Sequence, residues 1–214
     1  MDQNPFPAPV PCVIPAAGLS SRMGAWKPFL PWKDGVVADA VVSAALSAGC
    51  LPVLVAGCEA ARLEERYGGR PDLLVVRNDQ WRAGMLGSIR TGAAAAGTSI
   101  PEGIRSGFLV LPADMPLVEA ATLRDVMLAA RRRAERRLSP AALFASSGGR
   151  LGHPVWIPYA FLPAIMELDP GARLRDWLTA GPWEPVPVPG ESIFIDLDTP
   201  EEYRAALASV SGNS

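Results

Sequence analysis

Pro11-Cys12-Val13-Ile14-Pro15 runs straight into Ala16-Ala17-Gly18-Leu19-Ser20-Ser21-Arg22-Met23-Gly24-Ala25-Trp26-Lys27, an apolar stretch followed by small residues and then by two cations. A short apolar run bounded by small residues is the pattern of a buried parallel strand. The small side chains of Pro15, Ala16, Ala17 and Gly18 leave backbone N–H groups free to approach an anion, and Arg22 and Lys27 supply positive charge for a polyphosphate. The same residues would also serve as an ordinary strand-to-helix connection with two surface cations. Two other phosphate-binding patterns are excluded by spacing, because neither Gly-Lys-Ser/Thr nor Gly-x-Gly-x-x-Gly occurs here.

Outward from this stretch, helical spacing over 39–48 ends at Gly49, a natural left-handed cap, and an apolar run at 52–56 repeats the strand signal. A helix is predicted over 59–67, a strand over 73–76, a helix over 86–96 and a strand over 108–111. Strands alternating with helices imply right-handed crossovers and an α/β architecture, a doubly wound, three-layer, mainly parallel sheet with helices on both faces. Such sheets bind ligands at their carboxyl edge. Farther on, the pattern predicts a helix over 120–137, a strand over 141–145, a turn at Ser147-Gly148-Gly149, and strands over 154–157 and 193–197. Thr199-Pro200-Glu201-Glu202 combines an N-cap, a first-turn proline and a capping-box glutamate for a last helix. The reading is a loose arm at 1–11 and a single domain at 12–214.

Composition narrows the function. The 214 residues carry 20 basic and 22 acidic side chains, so no global field attracts polyanions and any phosphate binding must be local. The arginine run Arg131-Arg132-Arg133 with Arg136 and Arg137 reads as a solvated helix face, and nucleic acid is not expected as a partner. One histidine excludes sites built from several imidazoles. Cys12, Cys50 and Cys58 have no paired metal spacing and read as reduced thiols of a cytoplasmic protein. No apolar run approaches membrane-spanning length, and no membrane partner is expected.

The stretch Leu111-Pro112-Ala113-Asp114-Met115-Pro116 places Asp114 at the carboxyl edge beside the loop, where a carboxylate can hold Mg2+ together with substrate phosphates; alternatively, Asp114 only shapes a turn. Taken together, Ala17 to Leu30 resembles the phosphate loop of the molybdenum cofactor nucleotidyltransferase family, within the glycosyltransferase-A-like nucleotidyltransferases, with Phe29 in place of an aliphatic residue. Further elements of the same family follow in order. Asn78 and Asp79 with Trp81-Arg82-Ala83-Gly84-Met85-Leu86-Gly87-Ser88 resemble its nucleotide-site segment, which assigns Asn78, Gly84 and Ser88 to the nucleotide. Gly87 departs from the family's commoner serine, and Ser88 would also suit an N-cap. Asp114-Met115-Pro116 matches its metal element and Gly152-His153-Pro154 its acceptor-side motif, which makes His153 a positioning residue for the acceptor. Ile195-Asp196-Leu197-Asp198-Thr199-Pro200 matches its last element, with Asp198 as second metal ligand and Asp196 in support.

The resemblance implies a Rossmann-like fold and a Mg2+-dependent transfer of a nucleoside monophosphate to the terminal phosphate of a molybdopterin acceptor, releasing pyrophosphate. Arg22, Lys27 and Asp114 are then the catalytic set. Pro15-Ala16-Ala17 is nearer to the cytidylyl-transferring members, where guanylyl-transferring ones carry Gly-Gly, so CTP is expected over GTP. A transient contact with a molybdoenzyme or its chaperone belongs to the same expectation. Two other readings remain: transfer to a different acceptor such as a sugar phosphate, and a non-catalytic molybdopterin carrier that kept the nucleotide pocket.

Overall fold

The computed structural model describes residues 8–18, 23–101 and 105–211. The first element among the described residues is β1 (Val10–Ala16), so Val10 and Pro11 belong to the sheet and not to the arm expected up to residue 11. A 3₁₀ turn at Lys27–Phe29, a small hairpin of β2 (Pro31–Trp32) and β3 (Gly35–Val36), and helix α1 (Val37–Ser47) follow. Then come β4 (Cys50–Ala56), α2 (Ala60–Tyr67), β5 (Leu74–Arg77), α3 (Met85–Ser99), β6 (Gly107–Val110) and α4 (Ala120–Glu135). The second half contributes β7 (Ala142–Ser147), β8 (Arg150–Pro158), α5 (Leu162–Glu167), α6 (Leu174–Ala180), β9 (Trp183–Pro187) and α7 (Pro200–Ser211).

Seven strands form one sheet in the order β5-β4-β1-β6-β8-β7-β9. β1 pairs in parallel with both β4 and β6, β4 with β5 and β7 with β9, while β8 runs antiparallel to β6 and β7. Alternate residues of β1 face opposite layers, as a period of two requires. Cys12 and Ile14 pack with α1, α2 and α4, whereas Val13 packs with α3, α5 and α6. The chain moves outward from β1 to β5, returns through α3 and adds β6 on the other side of β1. The strand order therefore reverses between β1 and β6, and a crevice opens at their carboxyl ends. α3 sits close over this point because Gly92 has no side chain: a Cβ there would stand 2.6 Å from Val13 and 2.8 Å from Val55.

Three differences from the sequence reading have physical causes. Residues 193–197 form no strand; Ser192–Phe194 is a 3₁₀ turn, and the segment crosses the sheet against Gly152, where a Cβ would meet the Ile193 carbonyl at 2.4 Å. Its apolar alternation is nevertheless used, since Ile193 and Leu197 are fully buried. One-sided burial gives a period of two without any ladder partner. Conversely β9 holds Pro185 and Pro187, which argue against a strand, yet it lies at the sheet's edge, where missing N–H donors are tolerated. Finally, the N-cap of α3 is Gly84, so Ser88 lies inside the helix and is no cap. The capping box at Thr199 forms as the sequence indicates, with Glu202 accepting from the Thr199 N–H at 2.8 Å and Thr199 Oγ1 from the Glu202 N–H at 3.2 Å.

Candidate active site

Beyond the end of β6 the parallel pairing to β1 continues through single backbone bonds, Leu111 N–H to the Val13 carbonyl at 3.0 Å and Ala113 N–H to the Pro15 carbonyl at 3.2 Å. These bonds carry Asp114 up beside the loop that leaves β1. Between them lies a cavity of about 260 Å3, lined by Pro15, Ala16, Ala17, Gly18, Lys27, Gly84, Ser88 and Asp114 among others. Seven of the nine nucleotide residues expected from sequence thus share one cavity. Asn78 does not line it; its buried amide donates to Ser88 Oγ at 3.1 Å and so acts behind Ser88. Arg22 lies outside the described residues.

Lys27 is the centre of the polar site. Its ammonium donates to Asp114 Oδ2 at 2.9 Å and to Asp198 Oδ1 at 2.5 Å, although the three residues come from the loop after β1, the end of β6 and the approach to α7. Asp198 is brought there by the Leu197 N–H, which donates to the Asp114 carbonyl at 3.1 Å. Burial alone would lower the lysine pKa, but the hydrogen bonds and charges of Asp198 and Asp114 outweigh it and hold the ammonium above the ordinary lysine range. Asp196 feels the same neighbourhood: desolvation, then the charges of Asp198 and Asp114, raise its carboxyl above the usual range.

Two carboxylates that converge on one cation can accept a metal between them. Among the described residues no three His, Cys, Asp or Glu side chains gather into a metal cluster. The donor set therefore fits a hard divalent ion that keeps waters and phosphate oxygens as its remaining ligands, and does not fit a closed protein cage.

A second cavity, of about 390 Å3, adjoins the first, and Gly84 and Met85 line both. Its walls are mainly apolar: Leu86 and Ile89 of α3, Val110 of β6, Phe144 of β7, Val155 and Ile157 of β8, and residues 170–175 and Leu178 at and within α6. Gly84 has φ 111° and ψ 179°, a conformation that L side chains avoid, so the sharp entry into α3 at this junction depends on glycine. His153 lines the apolar cavity, with its Nδ1 3.3 Å from the Val110 carbonyl. Burial, only partly offset by that carbonyl, pushes its pKa down to about 4, so the ring is neutral near pH 7.

The sequence reading missed Trp81, Met85, Pro28, Pro112 and Ala113 in the first cavity, and 170–175 with Leu178 in the second. Met85 and Trp81 stand inside the Trp81-to-Ser88 element and were within reach. The Asp169-Pro170-Gly171 turn followed by Leu174 and Leu178 at helical spacing was the available signal for the other.

Comparison with known proteins agrees with this geometry. Residues 12–186 match the family described as the MobA-like NTP transferase domain. The molybdenum cofactor cytidylyltransferase of Escherichia coli K12 is 27% identical over 197 residues, covering 92% of this chain and 95% of that protein. The molybdenum cofactor guanylyltransferase of Xanthomonas euvesicatoria pv. vesicatoria is 33% identical over 115 residues, covering 54% of this chain and 52% of that protein. Among solved structures, Rv0371c from Mycobacterium tuberculosis H37Rv superposes with a TM-score of 0.77 at 23% identity, over 94% of this chain and 99% of that one. A manganese complex of Rv0371c superposes with a TM-score of 0.68 at 23% identity, over 94% and 100%. With its family match spanning most of the chain and its loop, Lys27 and Asp114 assembled at the switch point of the sheet, this chain belongs to the MobA-like NTP transferase family.

Proposed function

We propose that this chain is a molybdenum cofactor cytidylyltransferase, moving CMP from CTP to the terminal phosphate of molybdopterin. The observation that carries the reading is the Lys27 ammonium joined to both Asp114 and Asp198 at a cavity that opens, across Gly84 and Met85, into an apolar one. The first suits a triphosphate and its cation; the second suits the flat faces of a pterin ring, with His153, Arg173 and Arg175 as polar groups for its hydrogen-bonding edge. An ionised phosphate oxygen of the acceptor attacks the α-phosphorus, the bond to the β-phosphate breaks, and pyrophosphate leaves. Because the attacking oxygen carries no proton, alignment and charge neutralisation matter more than a general base, which fits a neutral His153 used for positioning.

Asp114 and Asp198 would hold Mg2+, which when bound polarises the phosphate oxygens and offsets charge on the leaving group. Lys27, now shared by the two carboxylates, is within reach of the same space and together with Arg22 would neutralise the departing pyrophosphate. For the base, Ala16 and Ala17 each put a methyl group where glycine would leave room, and Pro15 lacks an N–H donor; all three line the cavity, which favours a pyrimidine.

The test is pyrophosphate release from CTP and from GTP, each with and without molybdopterin and with sugar phosphates as competing acceptors. CTP with molybdopterin should give the highest kcat/KM. Higher efficiency with GTP would overturn the base assignment, a sugar phosphate acting better than molybdopterin would overturn the acceptor, and tight molybdopterin binding with no release from any triphosphate would make the chain a carrier.

A further inference from the structure

The phosphate loop leaves β1 at Gly18 and ends at Lys27, and the two sides of this excursion are tied together by one side chain. The indole N–H of Trp26 donates to the Gly18 carbonyl at 3.0 Å across eight residues of chain. Trp26 is only 8% exposed, its ring stacks on Phe29 with centroids 5.1 Å apart and planes 14° from parallel, and the Arg62 guanidinium lies 4.4 Å from the Phe29 centroid. The base of the loop is held from the other side as well. Cys58 N–H donates to the Ala17 carbonyl at 3.4 Å, Cys58 Sγ approaches the Gly18 carbonyl at 3.4 Å, and a Cβ at Gly57 would collide with Ala17 at 2.5 Å.

Neither Trp26 nor Cys58 lines the nucleotide cavity, whereas Ala17, Gly18 and Lys27 do. Their bonds therefore hold the Ala17 and Gly18 carbonyls toward donors outside the cavity. In a trans peptide the N–H points opposite to the C=O, so fixing the Ala17 carbonyl against Cys58 turns the Gly18 N–H the other way. A carbonyl left free to rotate toward the cavity would present its negative end to phosphate oxygens. Trp26 is also the residue immediately before Lys27, at the N-cap of the 3₁₀ turn, so its anchoring sets where the Lys27 backbone starts.

We propose that Trp26 is a positioning residue for the triphosphate, its indole N–H closing the neck of the phosphate loop on Gly18 and fixing Lys27 against the cavity. This deepens the transferase reading and rests on it. The clasp acts before chemistry: Gly18 and Trp26 are joined in advance, so nucleotide binding does not have to bring them together. Phenylalanine keeps one ring to stack on Phe29 and removes the N–H, at the expense of the fused ring's volume, so the donor is read from CTP affinity and KM and not from stability.

The experiment is Trp26→Phe, with CTP affinity measured by calorimetry in the presence of Mg2+, steady-state kinetics, and a thermal melt. Loss of one neutral hydrogen bond at the neck should weaken CTP binding and raise its KM about threefold to tenfold, with kcat within about twofold, while the melting temperature falls somewhat because a buried indole gives way to a smaller ring. Unchanged CTP affinity in Trp26→Phe would overturn the clasp. A wild-type protein that binds no triphosphate would overturn the transferase reading itself, a separate result. Hydrogen exchange of the Trp26 indole proton in the wild-type protein gives a check independent of the variant's fold: slow exchange, slowed further by CTP, is expected, and exchange at the solvent rate would overturn the proposal.

Discussion

The two adjoining cavities are built from different parts of the sheet and select by different physics. The polar one is made of chain leaving β1 and β6 at the switch point, where backbone amides, one ammonium and two carboxylates meet. The second is made mostly of strand faces and helix sides, Val110, Phe144, Val155 and Ile157 against α3 and α6, with a neutral imidazole and the guanidinium groups of Arg173 and Arg175 also at its wall. A ligand of the first is recognised by charge and must bring a cation or displace Lys27. In the second, most of the wall is apolar, so shape and release of water from apolar surface carry recognition, with Arg173 and Arg175 as its charged contacts. Changes on the polar side should therefore alter rate and metal dependence, and changes on the apolar side should alter acceptor affinity.

The largest effects belong to the polar side. Lys27→Ala and Asp114→Asn are each expected to lower turnover about a hundredfold or more, since each removes charge stabilisation from phosphoryl transfer. Lys27→Ala also leaves Asp114 and Asp198 facing one another without their shared ammonium. Its melting temperature should fall in chelator and recover as Mg2+ is added. An Asp114→Asn protein with near-wild-type turnover and unchanged Mg2+ dependence would remove that residue from the metal site.

On the apolar side, His153 gives a pH test. Its folded pKa, about 4, lies below the unfolded value near 6.5. Between those values the unfolded chain binds the proton and the folded one does not, so stability rises with pH. The contribution is fully present above about pH 6.5 and is lost as pH falls toward 4, with an upper bound of about 3 kcal/mol. Asp196, raised in the folded state, works in the opposite direction at its own lower range. Urea unfolding at pH 7, 6 and 5 should show a slope in the wild-type protein that His153→Gln largely lacks; equal slopes would mean that the ring is solvated and does not belong to the cavity wall. With a single histidine in the chain, no other imidazole contributes to the signal.

The contrast between the cavities is also a contrast in legibility. β1, β4, β5 and β6 are contiguous apolar runs between helical periods, and the polar site is read from motif residues that follow them directly, so Gly18, Lys27 and Asp114 could be placed before any coordinates. The apolar cavity is assembled from residues far apart in sequence whose individual types are those of any core. Its share from 170–175 and Leu178 includes Arg173 and Arg175 but matches no motif read from the sequence, and β9 was hidden by the prolines that an edge strand tolerates. Asp196 and Asp198 were assigned to the site by their match to the family's last element, in a segment expected as a strand that is none. Leu197 is buried there and Asp198 comes to lie beside Lys27. That Lys27 would bridge both carboxylates depends on three-dimensional convergence and left no trace in spacing.

A smaller effect separates Asp198 from its neighbour Thr199, which begins the last helix. Asp198→Asn should raise the Mg2+ concentration for half-maximal activity about tenfold, because an amide oxygen attracts the cation less than a carboxylate. The capping box between Thr199 and Glu202 stays intact, so the melting temperature should move little. A loss of stability with an unchanged Mg2+ titration would mean that Asp198 serves α7.

The smallest effect tests the boundary itself. Met85 lines both cavities, opens α3 and is 55% exposed, apolar surface that a ligand in either cavity can cover. Truncating it should change stability by no more than about 0.5 kcal/mol, the range of ordinary surface substitutions. Burial of its thioether by a bound acceptor would contribute about 1 kcal/mol, or roughly fivefold in affinity, at the usual value per methylene. Met85→Ala is therefore expected to raise the acceptor KM about fivefold while the CTP KM stays within about twofold, because the triphosphate is held by charge on its side of the boundary. Met85→Leu, which keeps most of the volume and apolar surface, should recover most of the loss. Equal increases in both KM values, or a larger one for CTP, would show that Met85 belongs to the nucleotide and that the two cavities do not divide the substrates between charge and shape.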